Sequence, residues 1–299
     1  MDKIKPHISI FYNFDNIPHI KGTTKKGIKS EINFFDQFLI SYYSINENWI
    51  NNKFTFDFYI THSLPFHPDK LNVNLRQVDT HLNHVKRYHS LLEGVECDYK
   101  LLLDNDTVGL KVPNFDFTKD ALIGYSGSKY NYQEWEKICR CVCLELPPQH
   151  PIKTNEEARY YKFEADEYLF YYNNFPNYNL FPSVNAGALL IKNSLSKSLG
   201  ELLKESSIKY HNYILERDKV NIGYVSQDIY GLCVNHITKN WSHLEHGFNF
   251  LLSGLPSFQS LVTNYPLNKI SLFHYINTKF DEDYRFISII QKYKQKVLN

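Results

Sequence analysis

Short apolar runs of strand length alternate with helix-length segments along most of this chain, and that rhythm leaves few folds open to it. His7–Tyr12 reads as a strand, and Phe54–Ile60 alternates Phe54, Phe56, Phe58 and Ile60 at period two. Between them, Glu31–Ile45 carries Ile32, Phe35, Phe38, Leu39 and Tyr42 at helical spacing. Asp79–Leu92 reads as a helix, with Asp79 as its N-cap and Gly94 just past its end. Tyr99–Leu103 is a strand, almost wholly apolar. Later come a strand at Ala188–Ile191, a helix at Ser194–Glu216 capped by Ser194, and a helix at Ser226–Val234. A strand at Ile270–Tyr275 and an amphipathic helix at Tyr284–Val297 close the series. Strands that alternate with helices predict an α/β fold whose mainly parallel sheet is covered on both faces.

The rhythm breaks at about residues 124–182, a stretch rich in Tyr, Asn and Pro with one helix expected at Asn155–Tyr172. No repeat or linker-like segment divides the chain. The expectation is therefore a single domain over 1–299 with an aromatic-rich insertion. Tyr160, Tyr161, Tyr168, Tyr171, Tyr172 and Tyr178 crowd that insertion. They read as core or homo-oligomer interface, with a ligand platform of aromatic faces as the functional alternative.

Charge and thiols narrow the function classes. Lys+Arg number 33 and Asp+Glu 32, so there is no overall basic footprint for nucleic acid. Met1–Pro6 leads into an apolar run too short for a signal peptide, and no stretch approaches a membrane span. With five cysteines (Cys97, Cys139, Cys141, Cys143 and Cys233), reduced thiols and a cytoplasmic location are expected. Cys139, Cys141 and Cys143 share one strand face but lack a second ligand pair at zinc spacing, and are read as structural thiols. Lys292–Lys296 reads as a solvated basic helix face, with weak contact to anionic lipid as the alternative.

Four segments carry chemistry. Lys100-Leu-Leu-Leu-Asp104-Asn105-Asp106 ends a buried strand in two carboxylates at spacing two. In an open α/β sheet that places them at the carboxyl edge, where ligands bind. There they can share a hard divalent cation, Mn²⁺ or Mg²⁺; the plain alternative is an Asp/Asn turn. A second Asp-x-Asp, Asp281-Glu-Asp283, sits among charged residues before a helix and reads as a solvated helix start. Asn185-Ala186-Gly187 precedes an apolar strand and offers an amide beside a residue that permits close backbone approach. Gln227-Asp228 makes a polar step into a helix, and His274 ends a late strand, where it is a third metal ligand or a structural histidine.

Taken in order, these segments resemble the retaining nucleotide-sugar glycosyltransferases of the glycogenin and bacterial lipopolysaccharide galactosyltransferase family, which have the Rossmann-like GT-A fold. The match runs from about Arg87 to Lys279. It comprises Arg87 on the helix before the Asp-x-Asp strand, Asn185-Ala-Gly-x-Leu-Leu-Ile191, Gln227-Asp-Ile229, Phe248-Asn-Phe250 and His274-Tyr275. The resemblance implies that Asp104, Asp106 and His274 bind Mn²⁺ against the diphosphate of a nucleotide-sugar, a UDP-sugar. Arg87 and Lys279 would meet donor phosphate or sugar. Asn185, Ala186 and Gln227 would line the transferred sugar, Tyr12 and Asn13 would lie at the nucleotide end, and Asn105 and Gly187 would also contact the donor. Gln227 and Asn185 would offer amide oxygens to an oxocarbenium-like sugar, with Asp228 the nearby carboxylate. The acceptor would be a glycan, glycoprotein or glycolipid.

Two departures stand out. Ser226 occupies a position that is commonly acidic in the family, and His274-Tyr-Ile-Asn-Thr-Lys279-Phe280 lacks the family's Gly and Pro-Trp. They keep open a nucleotide-sugar-binding protein without catalysis, beside an inverting transferase of the same fold. A nucleotidyltransferase is disfavoured, because no Gly-rich phosphate loop follows the first strand.

Overall fold

The computed structural model describes residues 5–14, 34–51, 53–62, 71–77, 87–125, 184–215, 226–245, 247–251, 266–274 and 284–298. Ten strands are described: β1 (His7–Phe14), β2 (Thr55–His62), β3 (Asn74–Gln77), β4 (Tyr99–Leu103), β5 (Thr107–Gly109), β6 (Ala121–Tyr125), β7 (Val184–Lys192), β8 (Trp241–His243), β9 (Phe248–Leu251) and β10 (Leu272–His274). The described α-helices are α1 (Phe34–Asn48), α2 (Arg87–Leu92), α3 (Asn193–Leu215), α4 (Ser226–Ile237) and α5 (Tyr284–Leu298).

Seven strands form one sheet in the order β3-β2-β1-β4-β7-β6-β8. Pairing is parallel from β3 through β4 and again between β6 and β8. Only β7 runs against its neighbours, antiparallel to both β4 and β6. The sheet is thus mainly parallel, as the alternation of elements predicts. All five residues of β4 are buried, as a central strand covered on both faces requires.

The period-two alternation of the strands sorts side chains to two cores. Phe11, Leu102, Leu189 and Ile191 face one side, against Tyr88 and Leu91 of α2, Leu199 and Leu203 of α3, and Ile229 to Val234 of α4. Ile8, Ile10, Tyr12, Leu101, Leu103 and Leu190 face the other, against Phe38, Leu39, Tyr42 and Ile45 of α1. Trp49, Phe54, Phe115 and Phe248 close this second core with edge-on and tilted ring contacts.

The chain leaves the large sheet directly after β4. Asn105 and Asp106 form a turn, and β5 then joins a second, three-stranded sheet in the order β5-β10-β9. β10 pairs antiparallel with β5 and parallel with β9. A third core of Ile40, Val108, Ile270, Phe273, Ile290 and Tyr293 packs the small sheet between α1 and α5. The Asp-Asn-Asp turn is therefore the passage from one sheet to the other.

Several expected boundaries shift. α1 runs on to Asn48, α4 to Ile237, and β7 begins at Val184. Asn193, one residue before the expected Ser194, heads α3, and Ser196 Oγ donates to its side-chain oxygen at 3.2 Å. The start of the helix expected from Asp79, the insertion with its tyrosines and three cysteines, and Asp281-Glu-Asp283 lie outside the described residues. Among the described residues no helix is long and apolar enough to cross a membrane.

Candidate metal centre

Three side chains from two sheets meet at the turn after β4. Asp104 and Asp106 flank it, and His274 ends β10. One ligand atom from each of Asp104, Asp106 and His274 lies within 4.8 Å of the other two. His274 Nε2 stands 2.9 Å from Asp106 Oδ1 and 3.4 Å from Asp104 Oδ2. The imidazole is 4% exposed, while both carboxylates are partly open. Two carboxylates and one imidazole, converging and reachable from outside, form a donor set suited to a divalent cation.

The backbone explains why the three meet. In the β5–β10 pairing, Thr107 lies opposite His274, so the strand that follows the aspartates aligns the histidine with them. Gly187 of β7 completes the arrangement in three ways. Its carbonyl accepts from Asp104 N at 2.9 Å, and its N–H donates to Asn185 Oδ1 at 2.7 Å. Its bare Cα leaves room for the imidazole, since a Cβ there would lie 2.4 Å from His274 Nδ1. The glycine is required by close approach.

The residues expected at the nucleotide end divide. The Tyr12 ring is fully buried among Phe38 and Phe58, and its hydroxyl lies 2.7 Å from Ser41 Oγ. Burial pushes its phenol above the ordinary tyrosine range, so it stays protonated. A side chain sealed in this way packs the core, and any approach of Tyr12 to a ligand is through its backbone. Asn13 is partly open at the end of β1. Its Oδ1 accepts from Ser90 Oγ at 2.8 Å, and its carbonyl accepts from Asn105 Nδ2 at 3.3 Å. That leaves Asn13 Nδ2 and Asn105 Oδ1 buried with no partner among the described residues. One donor and one acceptor thus lie buried and unsatisfied beside the aspartates.

The remaining expected residues are placed by their backbone alone. Arg87 opens α2, Gln227 and Asp228 fall in the first turn of α4, and Ala186 lies in β7 between Asn185 and Gly187. Asn185 itself is buried at 3% exposure. Lys279 lies outside the described residues.

Sequence reasoning missed one set of residues here. Ser41, Ser44 and Thr107 are fully buried and hydrogen-bonded around the turn. The available signal was a polar stripe, Ser41, Ser44 and Asn48, at helical spacing on an otherwise apolar helix.

No protein-family model and no curated protein sequence matches the chain. Solved structures do. The glycosyltransferase GlyE of Streptococcus pneumoniae TIGR4 superposes with a TM-score of 0.51 at 14% identity, over 97% of this chain and 60% of that one. An active-site mutant of LgtC superposes with a TM-score of 0.50 at 11% identity, over 95% of each chain. The chain thus spans about three fifths of the length of GlyE. At such identities the likeness concerns the fold, and the mixed sheet described above is that of the GT-A glycosyltransferases.

Proposed function

We propose that this protein is a metal-dependent glycosyltransferase that moves a sugar from a nucleotide-sugar, UDP-linked, to a glycan, protein or lipid acceptor with retention of configuration. The observation that carries the reading is the convergence of Asp104, Asp106 and His274 at the carboxyl edge of a GT-A sheet. In our reading these three residues hold Mn²⁺ or Mg²⁺. When bound, such a cation supplies Lewis-acid stabilisation of the charge that develops on a diphosphate leaving group.

The chain's own residues supply the rest. Asn13 and Asn105, both partly exposed, offer amide groups suited to the polar edge of a nucleotide. Asn185, held by Gly187 N–H, and Gln227 at the start of α4 would face the transferred sugar, where amide oxygens favour a positive anomeric centre. Arg87 and Lys279 are assigned to the phosphates, and Asp228 is the carboxylate nearest the sugar. The single-domain organisation and an acceptor role for the tyrosine-rich insertion belong to the same proposal.

A thermal-shift screen of nucleotide-sugars with and without Mn²⁺ tests it. A ligand that binds the folded state raises the melting temperature by mass action. Metal-dependent stabilisation by a UDP-sugar, with slow release of UDP, is the expected result. Stabilisation without any turnover would favour a binding protein, and an inverted product anomer would replace retention with inversion. No shift with any donor would sink the reading.

A further inference from the structure

A line of buried hydroxyls runs from β1, through α1, to the turn that carries the aspartates. Tyr12 OH lies 2.7 Å from Ser41 Oγ, Ser41 Oγ lies 2.8 Å from Thr107 Oγ1, and Thr107 Oγ1 donates to the Asp104 carbonyl at 2.9 Å. The proton directions follow from the far end. A carbonyl only accepts, so the single Thr107 proton goes to Asp104. Thr107 must then accept from Ser41, and Ser41 from Tyr12. Each hydroxyl spends its one proton in the same direction.

A parallel rung holds the other end of β5. Gly109 N donates to Ser44 Oγ at 2.9 Å, and Asn48 Nδ2 donates to the Gly109 carbonyl at 2.9 Å. Tyr12, Ser41, Ser44 and Thr107 are all fully buried. The line crosses the seam between two apolar cores, where an apolar row of similar shape would pack without any desolvation cost. What hydroxyls add is fixed distance and direction. Their terminus is the backbone of a metal-ligand candidate, and Thr107 is also the cross-strand partner of His274.

We propose that Tyr12, Ser41 and Thr107 are positioning residues of the metal centre, whose hydroxyl line sets the Asp104–Asp106 turn against the strand that bears His274. This rests on the metal reading above. Outer residues that orient metal ligands affect affinity by about 10–100-fold.

The test compares Thr107→Val, which keeps the shape and removes the hydroxyl, with Thr107→Ser, which keeps the hydroxyl. Mn²⁺ binding to the full chain is followed by electron paramagnetic resonance, for both affinity and the spectrum of the bound ion. Thr107→Val should weaken binding about tenfold and alter the spectrum, and Thr107→Ser should restore both. Leu203→Ala, in the core on the opposite face of the sheet, should lower the melting temperature at unchanged affinity. If Thr107→Val fails to fold, Ser41→Ala opens the same line one step earlier. Mn²⁺ binding by Thr107→Val (or, in its place, Ser41→Ala) with wild-type affinity and spectrum overturns the inference, while loss of binding in Asp104→Ala still supports the metal reading. Absence of Mn²⁺ binding by the unaltered protein overturns both.

Discussion

Lys100 and Asp104 stand near opposite ends of the β4 segment, and each anchors a polar cluster in apolar surroundings. At Lys100 the ammonium is fully buried and donates to the carbonyls of Ser90 at 3.0 Å, Leu91 at 2.8 Å and Glu93 at 2.6 Å. Three N–H groups meet three acceptors at the C-terminal end of α2, where a helix favours positive charge. Phe11 covers the charge with its ring 5.5 Å away. Donors and acceptors balance, and no capacity is left for a ligand. Around Asp104, by contrast, two carboxylates and an imidazole turn toward one point, partly open to the outside. Acceptors predominate there, a balance that suits a cation. Burial of polar groups does not separate a structural cluster from a functional one; the balance of donors and acceptors does.

That contrast can be broken by substitution. Asp104→Ala or Asp106→Ala should abolish metal-dependent donor binding by calorimetry, with the melting temperature held or raised, because a repulsive carboxylate is removed. Lys100→Met should do the reverse. It strands three carbonyls and should cost about 2–3 kcal/mol in denaturant unfolding, while the folded fraction still binds metal normally. Gly187→Ala drives a Cβ into the His274 ring and should weaken metal affinity by more than about tenfold, since the imidazole must move.

The smallest effect expected is a pH slope. Burial pushes the Lys100 pKa down to about 8, below its unfolded value, so above pH 8 the unfolded chain binds more protons than the folded one. Lys100 therefore contributes stability that rises above pH 8, at up to about 1.4 kcal/mol per pH unit, while the thiols of Cys97 and Cys233, whose pKa burial raises, contribute the opposite slope in the same window. Urea titrations across that window should show a slope that is more positive in the unaltered protein than in Lys100→Met, by up to that amount. A slope shared by both would assign it to other groups.

The sequence foretold the parts of this site that depend on local pattern. Apart from Lys100, Tyr99–Leu103 is apolar because both faces of β4 are covered, and the predicted span coincides with the strand. The two carboxylates follow from spacing alone. Other parts depend on partners remote in sequence. β5 is three residues long and too short to show alternation, so the small sheet that brings His274 to the aspartates was invisible. The reversed direction of β7 was equally hidden, since a period-two pattern reads the same both ways. Tyr12 looked like a ligand contact because it ends an apolar run at the carboxyl edge. Its alternation with Ile8 and Ile10 places the ring in the core. Ser41 and Thr107 carry no motif, because their role arises only when α1 lies against β5.

The split of the candidate metal ligands between two sheets also sets an order in time. His274 follows the aspartates by more than half the length of the chain. A chain emerging from the ribosome therefore holds both carboxylates long before it holds the imidazole. The complete donor set appears only after β10, the last strand among the described residues, has found β5. In the function proposed above, cation binding is then a late event, and acquisition of the ion would mark chains that have joined their late segments to their early ones.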